Sequence, residues 1–228
     1  MTCLTLGCET EFIRGDNMQQ NEKKIITVGV TGASGAVLAQ KMLHLLDADA
    51  RVARIHLVVT ETGMRLLAEE LKIAVGAADQ LAQRVLGRTT HKIEFISNKD
   101  VGASIASGSH AVDAMAVIPC SVGSLAKIAN GWCDDLLARS ADVMLKEGRK
   151  LILCVRDTPF SRIHLENMLR ALQAGAVIMP AIPSFYHQPK TIDDLVTQYV
   201  YRVLVQMDLA QQAMYRWTGS AGATEAKA

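Results

Sequence analysis

Ile25-Ile26-Thr27-Val28-Gly29-Val30 is followed directly by Thr31-Gly32-Ala33-Ser34-Gly35 in this chain. The first part is apolar apart from one threonine and one glycine, as in a strand that is buried on both faces of a sheet. The glycine-rich part is typical of a tight turn, and helical periodicity follows from Ala36 to Leu46. A strand, a tight turn and a helix in this order predict the opening unit of a parallel α/β sheet.

The same alternation continues to the C-terminus and predicts one doubly wound (Rossmann-like) parallel sheet, α/β, with helices on both faces. Further strands are predicted at 55–59, 92–96, 114–119, 151–155 and 176–179, and helices at 62–71, 77–87, 123–129, 134–146, 161–171 and 191–215. We expect a single domain over 24–217, a poorly ordered N-terminal extension over 1–23 with Met18 as an alternative start, and a flexible tail over 218–228.

The composition limits the classes of protein to which the chain can belong. Its 228 residues are 50% hydrophobic and 21% charged, which is typical of a globular domain. A net charge of +1 does not suggest nucleic-acid binding, and the longest apolar runs are too short for a membrane span. The five cysteines are scattered without a CxxC pair, so we expect free thiols, no metal site and a cytoplasmic location.

Two strand-to-helix junctions are candidate ligand cradles, because ligands of such sheets bind at the carboxyl ends of the strands. The first is the Thr31–Gly35 turn, and the second is Pro119–Ser124. Free backbone N–H groups at a following helix suit a phosphate or a flavin edge. The alternatives are a plain turn with Ser34 as the helix N-cap, and capping of the next helix by Ser121. Glu61, after the second strand, leaves an NAD-binding module open.

Cations and a proline-rich loop provide two further signals. Arg139 and Lys146 fall on one face of a predicted helix, and Arg156 follows an apolar strand, so the three suit phosphate binding. The alternative for any single cation is a solvated surface charge. The loop 180–189 is rich in proline and aromatic residues and is placed to cover a site, and its His187 is either a base or an ordinary loop residue.

Taken together and in order, eight motifs resemble the flavin prenyltransferase (UbiX-type) family, part of a wider group of homo-oligomeric flavoproteins that includes the phosphopantothenoylcysteine decarboxylases. They are TGASGA from Thr31, IASGS at 105–109, PCSVGSLA at 119–126, ARSADVMLKE at 138–147, VRDTP at 155–159, HLENML at 164–169, GAVIMP at 175–180 and FYHQP at 185–189. The resemblance runs from about Lys24 to Trp217.

The resemblance implies transfer of a dimethylallyl group from dimethylallyl phosphate to N5 and C6 of reduced FMN, without a metal. It implies FMN contacts at Gly32, Ala33, Ser34, Thr60, Ser121, Val122, Gly123, Ser124 and Arg156. It implies substrate contacts at Ser107, Gly108, Arg139, Lys146, Tyr186, Arg202 and Trp217, with Asp157, Glu70, Lys146 and Arg139 as catalytic residues. It also implies a dodecamer with sites at subunit interfaces, and a UbiD-type decarboxylase that receives the prenylated FMN in ubiquinone biosynthesis or aromatic-acid decarboxylation.

The sequence departs from the family pattern at two positions. Asp157 stands where the family commonly has glutamate, and Leu38 stands where several members carry tyrosine. The shorter acid at 157 leaves a non-catalytic flavin carrier open as an alternative. The related flavoprotein group leaves a second one open, an FMN-dependent oxidative decarboxylase. The combination of Arg139, Lys146 and Arg202 favours the transferase over the oxidative decarboxylase and leaves the carrier open.

Overall fold

The computed structural model describes residues 23–74, 80–217 and 219, and within them the chain forms a six-stranded parallel sheet. The strands are β1 Lys24–Val30, β2 Val52–Val59, β3 Ile93–Ser97, β4 Ala114–Cys120, β5 Lys150–Val155 and β6 Val177–Ile178. All neighbouring pairs run parallel, which explains why the central strands are continuous apolar runs that are buried on both faces.

Seven helices cover the two faces of this sheet in the described part of the chain. They are α1 Ala36–Ala48, α2 Glu61–Leu71, α3 Leu81–Leu86, α4 Val122–Ala129, α5 Leu136–Lys146, α6 Arg162–Gln173 and α7 Ile192–Gln206. Buried side chains of α1, α2, α3 and α7 form one core with alternate strand residues. Those of α4, α5 and α6 form a second core with the remaining strand residues. The helices therefore divide between the two faces, as predicted.

The strand order is β3-β2-β1-β4-β5-β6. The chain builds outward from β1 to β3, then returns to the other side of β1 and builds outward from β4 to β6. The order therefore reverses between β1 and β4, and their carboxyl ends flank a crevice of the kind in which doubly wound sheets bind ligands. Both candidate cradles lie at this position.

The final helix is shorter than predicted, because α7 ends at Gln206 whereas the prediction extended it to 215. Asp208 adopts a left-handed conformation with φ 56°. The N–H of Leu209 donates to the carbonyl of Leu204 at 2.9 Å, and the N–H of Asp208 donates to that of Val205 at 3.1 Å. This is a Schellman cap, and it turns the fully buried Leu209 back onto the core. The apolar pattern beyond 206 reflects this packing and not a continuing helix.

Other differences from the predicted elements are small. The last strand is reduced to Val177–Ile178, and the predicted helix over 77–87 is a helix over Leu81–Leu86, with 75–79 outside the described residues. The predicted extension and tail also lie outside them, except for residues 23 and 219, so these domain boundaries stay predictions. Within the described ranges, no helix has the length and apolar character needed to cross a bilayer.

Candidate active site

Thr31 joins the two strand ends that form the crevice. Its fully buried hydroxyl donates to the carbonyl of Pro119 at 2.8 Å and accepts from the N–H of Ser121 at 2.7 Å. Together with the backbone N–H of Thr31, which donates to the same carbonyl at 3.2 Å, this side chain links the end of β1 to the end of β4 and so joins the two cradles. The sequence pattern indicates Thr31 only as part of the turn. A polar residue at the end of an otherwise apolar buried strand was the available signal.

The glycine turn starts α1 in a way that the sequence did not predict. Gly35 is the N-cap, with φ 125° and no side-chain cap of its own, so the alternative of Ser34 as the N-cap is wrong. A carboxylate oxygen of Glu70 accepts from the N–H groups of Gly35 at 3.0 Å and Ala36 at 2.8 Å. A carboxylate suits the positive end of a helix, and Gly35 supplies the backbone conformation that L side chains avoid.

The same contacts set the charge of Glu70. Partial burial favours its protonated form and would raise its pKa. The hydrogen bonds from Gly35, Ala36 and Ser34 and the nearby charge of Arg156 outweigh this, so its pKa lies below the usual value. The structure therefore brings the predicted acid Glu70, the glycine turn and Arg156 together.

Two hydroxyls cap the helices on either side of the crevice. Thr60 accepts from the N–H of Gly63 at 3.1 Å at the start of α2, and Ser121 accepts from that of Ser124 at 3.2 Å at the start of α4. The capping alternative for Ser121 is therefore confirmed. The predicted contacts Val122, Gly123 and Ser124 occupy the first turn of α4, where backbone N–H groups lack intrahelical partners.

Two glycines beside the crevice are required by close packing. A Cβ at Gly63 would lie 2.7 Å from the carbonyl oxygen of Val30, and a Cβ at Gly32 would lie 2.6 Å from Cβ of Thr62. These glycines let α2 and the turn approach β1 closely. Gly32 therefore has a packing role besides any ligand contact, and Gly63 is a position that the sequence analysis missed.

Arg156 offers the crevice a cation with unused hydrogen-bonding capacity. Its backbone N–H donates to the carbonyl of Cys120 at 3.0 Å, which places the residue where β5 ends beside β4. Its Nε is buried and has no hydrogen-bond partner among the described residues. Such a donor is costly unless a ligand pairs with it. A half-buried arginine with a buried, unpaired Nε beside two helix N-termini fits the anionic and polar groups of FMN.

Asp157, next to Arg156, is half-buried and forms a hydrogen bond within its own turn. One of its carboxylate oxygens accepts from the N–H of Thr158 at 2.8 Å. The side chain thus stabilises the turn after β5, and its second oxygen makes no hydrogen bond within the described chain.

The predicted phosphate ligands Ser107, Gly108, Arg139 and Lys146 form a group around α5. Arg139 donates from Nε to the carbonyl of Ala106 at 3.1 Å and pairs with Asp142 at 3.0 Å. Gly108 packs so closely against the end of α5 that a Cβ there would lie 2.7 Å from Nζ of Lys146. Lys146 itself pairs with Glu147. The structure therefore brings these four residues to one side of the sheet.

Tyr186 and Arg202 form a separate group. They line a cavity of about 380 Å³ together with Ser184 and Tyr199. A hydrogen bond with Ser184 and the nearby Arg202 help to hold the pKa of the Tyr186 phenol below its usual value, against a small opposing effect of burial. The ring of Tyr215 lies 5.5 Å from that of Tyr186. The predicted prenyl contact Trp217 is 64% exposed.

The two groups lie on different faces of one subunit. Arg139 and Lys146 belong to α5 in one core layer, whereas Arg202 belongs to α7 in the other. No hydrogen bond or ion pair links the groups across residues 23–74 and 80–217. A single subunit thus brings the predicted FMN contacts together but divides the predicted phosphate ligands.

Comparison with known proteins agrees with this geometry. The family described as Flavoprotein matches residues 14–205. The chain is 41% identical over 196 residues to flavin prenyltransferase UbiX of Pseudomonas aeruginosa, covering 84% of this chain and 93% of that protein.

Two solved structures share the fold and much of the sequence. AnUbiX (PadA1) in complex with FMN and dimethylallyl pyrophosphate has a TM-score of 0.75 and 39% identity, covering 87% of this chain and 99% of that one. A dodecameric FMN-dependent Ubix-like decarboxylase from Escherichia coli O157:H7 has a TM-score of 0.75 and 40% identity, covering 86% of this chain and 100% of that one. The family match and the identity over most of the chain confirm the resemblance found in the sequence: the chain belongs to the flavoprotein family and, within it, to the UbiX flavin prenyltransferases.

Proposed function

We propose that the protein transfers a dimethylallyl group from dimethylallyl phosphate to N5 and C6 of reduced FMN. The observation that carries the proposal is the buried, unpaired Nε of Arg156 in the crevice between β1 and β4. It marks the site of an anionic, polar ligand at the place where this fold binds nucleotides. A similar structure contains FMN and dimethylallyl pyrophosphate together.

The flavin is held by residues at four strand ends. Arg156 and the first turn of α4 bind its polar and anionic groups, and the Gly32–Ser34 turn and Thr60 border it on the other side. When bound in its reduced form, FMN supplies the nucleophilic N5 and C6 atoms. Thr31 keeps the two sides of the cradle at a fixed distance and so orients the ligand.

The phosphate of the second substrate is bound by Arg139 and Lys146 with the Ser107–Gly108 backbone, and by Tyr186 and Arg202. Cations and a phenol with a lowered pKa balance the charge that grows on the departing phosphate. Arginine provides a fork of donors and lysine a point charge, so the two types complement one another on phosphate. No metal is needed for a leaving group that is neutralised in this way.

Proton transfer is assigned to Glu70 and Asp157, which flank Arg156 in the fold. Glu70 is held ionised by the start of α1, so it accepts a proton rather than donating one at neutral pH. One carboxylate oxygen of Asp157 accepts from the N–H of Thr158 and stabilises that turn. The other oxygen is free to accept a proton from the flavin.

The complete site is assembled between subunits. Since the α5 group and the Tyr186–Arg202 group lie on different faces, we infer that neighbouring subunits of a dodecamer bring them together. A similar structure is dodecameric. The prenylated FMN then passes in the cytoplasm to a UbiD-type decarboxylase of ubiquinone biosynthesis or aromatic-acid breakdown.

The test is to incubate the FMN-loaded, dithionite-reduced protein with dimethylallyl phosphate and to follow the flavin by mass spectrometry and absorbance. A flavin heavier by one five-carbon unit supports the transferase. Unchanged FMN that remains tightly bound contradicts it and favours a flavin carrier. A redox change on an added cysteine-containing peptide favours an oxidative decarboxylase.

A further inference from the structure

The segment Ser107–His110 carries two of the predicted phosphate contacts but has little regular structure. It joins a single 3-10 turn at Ser104–Ala106 to the start of β4. Within it, the N–H of His110 donates to the carbonyl of Ser107 at 3.2 Å, and the hydroxyls of Ser107 and Ser109 lie 2.8 Å apart. A loop with so few internal contacts needs outside partners to keep one conformation.

Arg149 supplies the strongest of those partners. Its Nη1 donates to the carbonyl of His110 at 2.8 Å, and its Nη2 donates to the carbonyl of Gly108 at 2.8 Å. The guanidinium therefore spans the segment with two parallel bonds, a geometry that a lysine ammonium cannot reproduce. No carboxylate lies within ion-pair distance of Arg149 in the described residues.

Arg149 is itself firmly placed. It lies just before β5, and its backbone N–H donates to the carbonyl of Met144 in α5 at 2.8 Å. The residue thus connects the segment to the helix that carries Arg139 and Lys146. The side chain is half-buried, so its bonds to the two carbonyls are partly shielded from water.

The two bonds also determine which way the segment faces. In a planar trans peptide the carbonyl and the N–H point in opposite directions. Because the Gly108 carbonyl faces Arg149, the N–H of Ser109 faces away from it, on the side of the Ser107 hydroxyl, to which it donates at 3.4 Å. The same placement sets Gly108 against the ends of the Lys146 and Glu147 side chains, which would have to shift to make room for a methyl group.

His110 is held from a second direction. Its Nε2 lies 3.4 Å from Nε2 of His56, a side chain of β2 with 1% exposure. Ala106, the residue just before the segment, is held by Arg139, whose Nε donates to the Ala106 carbonyl at 3.1 Å. Among the described side chains, only Arg149 donates hydrogen bonds to both the centre and the end of the segment.

We infer that Arg149 is a positioning residue for the prenyl-phosphate site. It holds Ser107, Gly108 and Ser109 in the orientation that binds phosphate and does not contact the substrate itself. The inference rests on the proposed function, because the segment Ser107–His110 binds phosphate only if the protein transfers a dimethylallyl group from dimethylallyl phosphate.

The test compares Arg149→Gln and Arg149→Lys with the matched control Arg162→Gln, which removes an exposed arginine paired with Glu166. We expect both Arg149 variants to raise KM for dimethylallyl phosphate at least ~10-fold, the effect of losing about one to two hydrogen bonds. FMN affinity and Tm should stay close to those of the control. A KM for dimethylallyl phosphate within twofold of wild type overturns the inference. A loss of FMN affinity as large as the rise in KM also overturns it.

A second measurement is independent of turnover. Amide hydrogen exchange of peptides covering 104–113 should be at least ~10-fold faster in Arg149→Gln, with exchange in β1 and β4 unchanged. Unchanged exchange in 104–113 refutes the positioning role. If the wild-type protein makes no prenylated flavin while this exchange still accelerates, the proposed function fails and the anchoring by Arg149 stands.

Discussion

Asp157 stands where the sequence resemblance predicts a glutamate. The side chain is one methylene shorter than glutamate, and one oxygen is occupied by the N–H of Thr158 at 2.8 Å. If the free oxygen moves a proton, Asp157→Asn should lower kcat by about 100-fold with FMN affinity unchanged. Single-turnover formation of the heavier flavin would measure this. Asp157→Glu is the control and should keep most of the activity; equal turnover in Asp157→Asn and wild type would exclude the acid from catalysis.

Thr31 allows a prediction about stability and binding together. Thr31→Val keeps the shape but leaves the buried N–H of Ser121 without its partner, while the carbonyl of Pro119 still accepts from the backbone N–H of residue 31 at 3.2 Å. We expect a loss of about 1–3 kcal/mol in the free energy of unfolding and weaker FMN binding. Urea unfolding with and without FMN would report both. Thr31→Ser retains the hydroxyl and should lose much less stability. An equal loss of stability in the two variants would show that the methyl group of Thr31, and not its hydroxyl, is responsible.

At the scale of elements, α1 depends on a carboxylate from another helix. Glu70→Gln removes the negative charge at the N-terminus of α1 while keeping an oxygen that can accept from Gly35 and Ala36. We expect a loss of about 0.5 kcal/mol near neutral pH, the usual size of a charge at an exposed helix end. Urea unfolding measures it. Glu69→Gln is the matched control, because Glu69 pairs only with exposed Arg65 at 3.7 Å.

The pH dependence of this difference has a definite sign. Because the pKa of Glu70 is lowered in the folded protein, its charge stabilises the fold above the usual glutamate pKa of 4.5. As pH falls below 4.5, the unfolded chain binds the proton more readily, and the stabilisation is lost. The difference in the free energy of unfolding between wild type and Glu70→Gln should therefore become smaller at acidic pH. A difference that is unchanged at pH 3.5 would show that the hydrogen bonds, and not the charge, stabilise α1.

Most elements were predictable because their apolar periodicity is local. The pattern of β1 and α1 is complete within neighbouring residues, and both form as predicted. The end of α7 was not predictable in this way. Met207 and Leu209 continue the apolar pattern, yet the chain turns at Asp208 so that both are fully buried. A non-glycine residue in a left-handed cap gives no clear stop signal.

At the scale of the whole molecule, the divided phosphate pocket allows a direct test of assembly. Lys146→Ala and Arg202→Ala should each abolish turnover when expressed alone, and Lys146→Ala should still bind FMN. If neighbouring subunits share each site, co-expression of the two variants in mixed oligomers restores intact sites. Random mixing gives about one quarter of the wild-type activity.

The readout is turnover of mixed oligomers purified through a different tag on each variant. Oligomers that remain inactive would place Lys146 and Arg202 in the same subunit's site, contrary to the proposal. A mixture of the two variants purified separately is the control and should stay inactive as long as subunits do not exchange.

The fold class, the glycine turn, the strand-end hydroxyls and the cations could all be predicted from the sequence, because each depends on residue type and short-range spacing. The sequence also contained the motifs that place the chain among the UbiX flavin prenyltransferases. Four features depend on tertiary contacts: Glu70 caps α1, Thr31 joins β1 to β4, Arg149 bonds to the segment Ser107–His110, and the predicted phosphate ligands divide between two faces. These contacts join residues 34 to 90 positions apart, and no local pattern records which distant groups the winding of the sheet brings together.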